Sequence, residues 1–316
     1  MKKRKMLVVY NTCGIKQDHP EWYIKCLNSL LSQEFEDYRV VLSSCLNSMD
    51  CFREIYNTFG NQISYCYHAE PHTVNITFNK TVQECVKQLG EFESYLYVDS
   101  GCTFGEQKNV LAEAYENLKT NSYGMLSLQT NTDTGFDQIG FDHEPEEVQI
   151  KDENFIIPVG KACNAHVILH DNEFLKNFNN KIWPDVFAAY CTESTFTFLC
   201  AAIEKRWAIL KDIEIEHHKS IDGASCSVPH WSLAHNNPWN NLLHGRDAAE
   251  FIRDPEAHTA GLGYEECNNI MNHDLNAYNE SGYPKDPDKL INNINKYFFL
   301  NSEELDYDRI KCKFIS

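Results

Sequence analysis

An α/β fold with a mostly parallel sheet flanked by helices is predicted by two features of this sequence. Apolar runs of strand length alternate four times with segments of helical period before residue 100. The first run, Met6 to Tyr10 (MLVVY), is continuously apolar, as a central strand covered on both faces must be.

Each element has its own warrant. Asn11-Thr12-Cys13-Gly14 turns the chain after the first strand. Between Trp22 and Gln33, residues Tyr23, Cys26, Leu27, Leu30 and Leu31 fall on one helical face. Tyr38 to Ser43 reads as the second strand, and Phe52 to Phe59 as a short helix stopped by Gly60. Ile63 to Tyr67 is the third strand. Phe78, Val82, Cys85, Val86 and Leu89 mark a helix closed by Gly90, before a fourth strand at Tyr95 to Val98. Further on, Val110 to Leu118 predicts a helix and Tyr123 to Leu128 a strand. Asn131 to Asn154 is polar and acidic and reads as a long surface excursion. Phe155 to Val159, Ala165 to Leu169 and Trp207 to Ile215 predict strands, and Glu193 to Arg206 a helix. From His230 the composition changes, and Leu290, Ile291, Ile294, Tyr297 and Phe298 define a last amphipathic helix. The expected organisation is therefore a main domain over 1–229 and a C-terminal helical extension over 230–316.

Bulk properties narrow the function. The formal charge of −18 excludes general nucleic-acid binding, which needs a basic face to displace counterions. Thirteen cysteines include no CxxC pair, and Cys26, Cys66, Cys85 and Cys200 fall within apolar strand or helix patterns. That is the usage of a reduced, cytoplasmic protein. Zinc of the finger type is disfavoured on the same ground, although histidines recur at 217, 218, 230, 235 and 244. The basic tip Lys2-Lys3-Arg4-Lys5 is too poorly followed by apolar residues for a signal peptide; it would at most touch an anionic membrane surface.

The chemistry centres on Tyr95-Leu96-Tyr97-Val98-Asp99-Ser100-Gly101, a buried strand ending in an acid. Asp-Ser-Gly is ordinary turn chemistry, yet a strand's carboxyl end is where open α/β sheets bind nucleotides and their metals. Asn11 and Thr12, with Ser43 or Ser44, end the first two strands and are the candidates for contacting a base and ribose; Tyr10 precedes them.

The order of these pieces resembles the GT-A fold of nucleotide-sugar glycosyltransferases, in particular the inverting family 2. The segment Cys26-Leu27-Asn28-Ser29-Leu30-Leu31-Ser32-Gln33 resembles that family's first helix. Asn79 matches an Asn before the key strand, and Asp99 the first acid of the Asp-x-Asp metal motif. Glu193 falls where the family places its catalytic acid, and His218 where an extra metal ligand often follows the next strand. The resemblance spans roughly residues 6–228. This chain departs from the pattern at Gly101, which replaces the second motif acid, at Ser43-Ser44, which replaces the base-reading acid, and at Ser194, which replaces the second acid of the catalytic helix.

The resemblance implies a sugar transfer from a nucleotide-diphosphate donor to a glycan, lipid-linked or protein acceptor, with inversion. It implies Mn²⁺ or Mg²⁺ held by Asp99 and His218, and donor contacts from Tyr10, Asn11, Thr12, Ser43, Ser44, Asn79 and Asp99. Glu193 would be the general base, although an acid in a first helical turn is also favoured by the helix dipole alone. Trp231 and Trp239 would stack on an acceptor sugar or seat the extension. The competing expectation is a non-catalytic GT-A scaffold that binds a sugar or a protein partner.

Overall fold

The computed structural model describes residues 4–14, 18–70, 74–131, 148–152, 155–158, 166–173, 176, 181, 206–218 and 311–316. Glu193 and its helix, Cys200, Trp231, Trp239, the histidines from 230 onward and nearly all of the C-terminal extension lie outside these residues.

The first strand, β1 (Arg4–Cys13), is buried from Met6 to Cys13. Sealing its Leu and Val side chains stabilises the fold by roughly 1.5–3 kcal/mol each. Helix α1 (Pro20–Leu31) starts with proline in its first turn, where a missing N–H costs nothing, and buries Tyr23, Cys26, Leu27 and Leu30. After β2 (Tyr38–Cys45), helix α2 (Met49–Phe59) begins three residues before the sequence pattern suggested. The reason is Ser48, whose side chain accepts the Cys51 N–H at 3.2 Å and so caps the helix earlier than its apolar face begins. Gly60 stops it with φ 50°, a conformation that penalises any side chain. Then follow β3 (Ser64–His68), α3 (Val74–Leu89), ended at Gly90 with φ 91°, and β4 (Phe92–Asp99). The two-residue β5 (Cys102–Thr103), α4 (Val110–Thr120) and β6 (Tyr123–Asn131) complete the regular half.

Beyond β6 the described elements are all strands: β7 (Val148–Asp152), β8 (Phe155–Pro158), β9 (Val167–Asp171), β10 (Arg206–His217) and β11 (Cys312–Ile315). One sheet takes them in, in the order β11-β3-β2-β1-β4-β9-β6-β10-β8-β7, with β5 on β10. Its centre, β3-β2-β1-β4, is parallel, as is β6 on β10; β9 runs antiparallel between β4 and β6. Two strands differ from the sequence reading. β7 lies inside the stretch read as a surface excursion, and β11, from the stretch read as a helical extension, pairs antiparallel with β3 at the sheet edge. Both are short and owe their form to a partner strand, which local pattern does not display.

Helices α1, α2 and α4 cover one face, where they enclose Met6, Val8, Tyr10, Leu42, Leu96 and Val98 in the main apolar core. Helix α3 covers the other, with Phe78 edge-on to Tyr97 at 5.5 Å. Both faces of the central strands are therefore dry, and the carboxyl ends of the strands are left for ligands.

Candidate functional site

From β1 the chain moves to β2 on one side, while β4 pairs on the other, which makes the carboxyl ends of β1 and β4 the switch point where open α/β sheets carry their ligand crevice. At this switch point Asn11 stands opposite Ser43 in β2 and Asp99 in β4. Residues directly opposite one another project from the same face. Asn11 is buried, and its Oδ1 has no hydrogen-bond partner among the described residues. A buried acceptor left in this way is costly unless a donor arrives. A hydroxyl or N–H of a bound nucleoside would supply one.

Asp99 keeps 15% of its side chain exposed. Its N–H donates to the His166 carbonyl at 2.8 Å, which ties the end of β4 to the start of β9. Ser100 Oγ donates to Asp99 Oδ1 at 3.2 Å, and Oδ2 lies 3.8 Å from His166 Nδ1. Behind His166 the ring of His217 stacks at 3.9 Å with the planes 32° apart. The loop after Asp99 is pinned from the α1 side: the Ser100 carbonyl accepts from Tyr10 OH at 2.9 Å and from Trp22 Nε1 at 3.0 Å.

These contacts show what the other expected site residues touch within the protein. Tyr10 is sealed in the core, and burial, then the nearby Cys26 thiol, raises its hydroxyl's pKa well above the ordinary value. It is a positioning residue for the Ser100 carbonyl, with no side chain in the crevice. Thr12 and Ser44 both donate to Asn47 Oδ1, at 2.9 and 2.8 Å, and Asn47 Nδ2 donates to Asp18 at 2.8 Å. Ser43 is bonded to Thr81 at 3.0 Å, which continues to His68 Nε2 at 3.0 Å. Thr12 and Ser44 therefore tie the ends of β1 and β2 to Asn47, and Ser43 ties β2 to α3, while each hydroxyl keeps a lone pair free to accept. Asn79 is buried on α3. Of the donor-contact set, Asn11 and Asp99 stand directly opposite one another at the switch point.

His218 also has partners within the protein. Its backbone N–H donates to the Gly101 carbonyl at 2.9 Å, so sequence spacing rightly brought it to the Asp99 loop. Its ring points elsewhere: it packs on Trp22 at 4.2 Å, and Nε2 lies 2.7 Å from Glu216 Oε1. Strand alternation at the end of β10 is the cause, sending Glu216 and His218 toward α1 and His217 toward Asp99. The hydrogen bond from His218, then Lys25 at 3.4 Å, holds the Glu216 carboxyl below its usual range.

His166 and His217 were not singled out as partners of Asp99 from sequence. The one signal was an imidazole immediately before an apolar run, and it gains meaning only once β9 is known to lie beside β4. Among the described residues no three His, Cys, Asp or Glu side chains form a metal cage. A carboxylate and an imidazole at one crevice nevertheless suit a divalent cation that takes its other ligands from phosphate and water.

No family model matches the chain, and no curated protein does. Solved structures resemble it at the level of the fold. A mannosyltransferase, PcManGT from Pyrobaculum calidifontis in complex with GDP-Man and Mn²⁺, superimposes with a TM-score of 0.51 and 13% identity, over 84% of this chain and 83% of that one.

The fold is GT-A.

TarS of S. aureus is also similar, with a TM-score of 0.49 and 14% identity; 84% of this chain is covered, but the chain spans only 42% of TarS. Asp99 stands at the carboxyl end of β4, in the parallel half of the sheet.

Proposed function

We propose that this protein is an inverting glycosyltransferase that moves a sugar from a nucleotide-diphosphate donor to a glycan, lipid-linked or protein acceptor. The observation that carries the reading is the pair at the switch point: a partly exposed Asp99 beside Asn11, whose Oδ1 has no hydrogen-bond partner among the described residues. The mannosyltransferase of like fold, bound to GDP-Man and Mn²⁺, supports a nucleotide-sugar donor and a divalent cation.

In this reading Asn11 accepts a hydrogen bond from the nucleoside. Asp99, kept in place by Ser100 and by the pinned loop behind it, would hold a divalent cation at the diphosphate end of the donor. When bound, a divalent cation supplies positive charge to the leaving diphosphate. Glu193 takes the acceptor proton as the acceptor oxygen attacks the anomeric carbon from the face opposite the leaving group. Residues 1–229 form the catalytic domain and 230–316 the extension, whose last strand returns to the sheet. None of the eight described cysteines forms a disulfide, in keeping with a reducing, cytoplasmic setting. Among the described residues no helix is long and apolar enough to cross a membrane.

Gly101, standing where a second acid would strengthen cation binding, favours a second reading: a GT-A scaffold that binds without catalysis. Screening nucleotide sugars for release of nucleoside diphosphate separates the two. Release that is lost in Glu193→Gln supports the transferase; binding of a nucleotide sugar with no release from any donor supports the scaffold.

A further inference from the structure

We infer that His166 is the second protein ligand of the cation, in the role expected of His218; the inference rests on the reading of Asp99 as a donor-site residue. Three strands build the arrangement. The end of β4 supplies Asp99, the residue before β9 supplies His166, and the end of β10 supplies His217.

Geometry selects His166. The hydrogen bond from Asp99 N–H to the His166 carbonyl fixes the two residues side by side, and Asp99 Oδ2 faces Nδ1 at 3.8 Å. Adjacent ligands at about 2.1 Å from an octahedral ion lie about 3 Å apart, so the two side chains need to close by about 0.8 Å. Both side chains reach the surface, with 15% of Asp99 and 20% of His166 exposed. His217 is buried behind His166 and backs its ring, as an outer partner orients a ligand. His218 is turned to Trp22 and Glu216, on the α1 side of the loop. A lone carboxylate holds a divalent ion weakly, and Gly101 offers no second one. An imidazole in that position makes Mn²⁺ a better occupant than Mg²⁺, which prefers oxygen.

The test is electron paramagnetic resonance on the full chain with Mn²⁺ and either UDP or GDP. The wild type is expected to bind Mn²⁺ in a nucleotide-dependent way, with a hyperfine coupling from one directly bound nitrogen. His166→Ala should lose that coupling and weaken Mn²⁺ binding about tenfold or more, whereas His218→Ala should keep both. Should His166→Ala fail to fold, His166→Gln, which keeps bulk, serves in its place, with far-UV circular dichroism as the check. A nitrogen coupling that survives loss of His166, that disappears with His218, or that is absent from a wild type binding Mn²⁺ through Asp99 overturns the inference and leaves the donor-site reading standing. A wild type that binds neither nucleotide with Mn²⁺ overturns both.

Discussion

Asp99 and Asn11 carry the functional reading at the scale of single residues, and each is open to substitution. Asp99→Asn removes the negative charge that anchors the donor end, so Mn²⁺-dependent nucleotide binding should fall while the unfolding midpoint barely changes. Isothermal titration and a thermal melt check the two halves of that statement. Glu193→Gln should leave donor binding intact and lower turnover by a factor of about a hundred or more, as losing a general base does; steady-state kinetics reads it. His170 gives a prediction about pH. Burial lowers its pKa to about 3, whereas the unfolded chain protonates near 6.5. Between those values the unfolded state binds a proton that the folded state refuses. This contribution is thus fully present above the unfolded pKa and is lost as pH falls, at roughly 1.4 kcal/mol per pH unit. Denaturant unfolding at pH 7 and pH 5 should show His170→Gln sparing roughly 2 kcal/mol of the wild-type loss.

Among the elements, the loop after β4 is where packing and function meet. The Ser100 carbonyl is held by Tyr10 from β1 and by Trp22 from α1, so the position of Asp99 depends on two side chains that are distant in sequence. Tyr10→Phe deletes one of these donors without changing shape. It should cost about 1 kcal/mol of stability and leave nucleotide affinity within about twofold; a large loss of affinity with no loss of stability would return Tyr10 to the binding set. Gly14 is a second tight point. A Cβ there would lie 2.4 Å from Asn47 Cα and 2.7 Å from the Leu46 carbonyl, both backbone atoms that cannot step aside. Gly14→Ala should therefore disturb the Thr12–Ser44–Asn47–Asp18 network, and a drop in melting temperature would show it.

Over the whole molecule, what could be read from the sequence follows a physical division. MLVVY was legible as a buried central strand because desolvation on both faces leaves no choice of residue type. The helix faces of α1 and α3 were legible for the same reason, and Gly60 and Gly90 because positive φ selects glycine. Asp99 could be placed at the end of β4 because a strand's end is a local feature. What escaped was set by long-range pairing. β9 enters between β4 and β6 and brings His166 to Asp99, and β11 closes the edge at β3. The hydroxyls at the strand ends bond to Thr81 on α3 and to Asn47 after β2, partners that only the assembled fold reveals.

Calorimetric titration of the full chain with UDP and with GDP, in Mn²⁺, on wild type and Asp99→Asn, tests the central claim most directly. The account predicts that the wild type binds at least one of the two only when Mn²⁺ is present, and that Asp99→Asn weakens this by about tenfold or more, the equivalent of roughly 1.4 kcal/mol. Equal binding by both proteins, or none by the wild type, would contradict it.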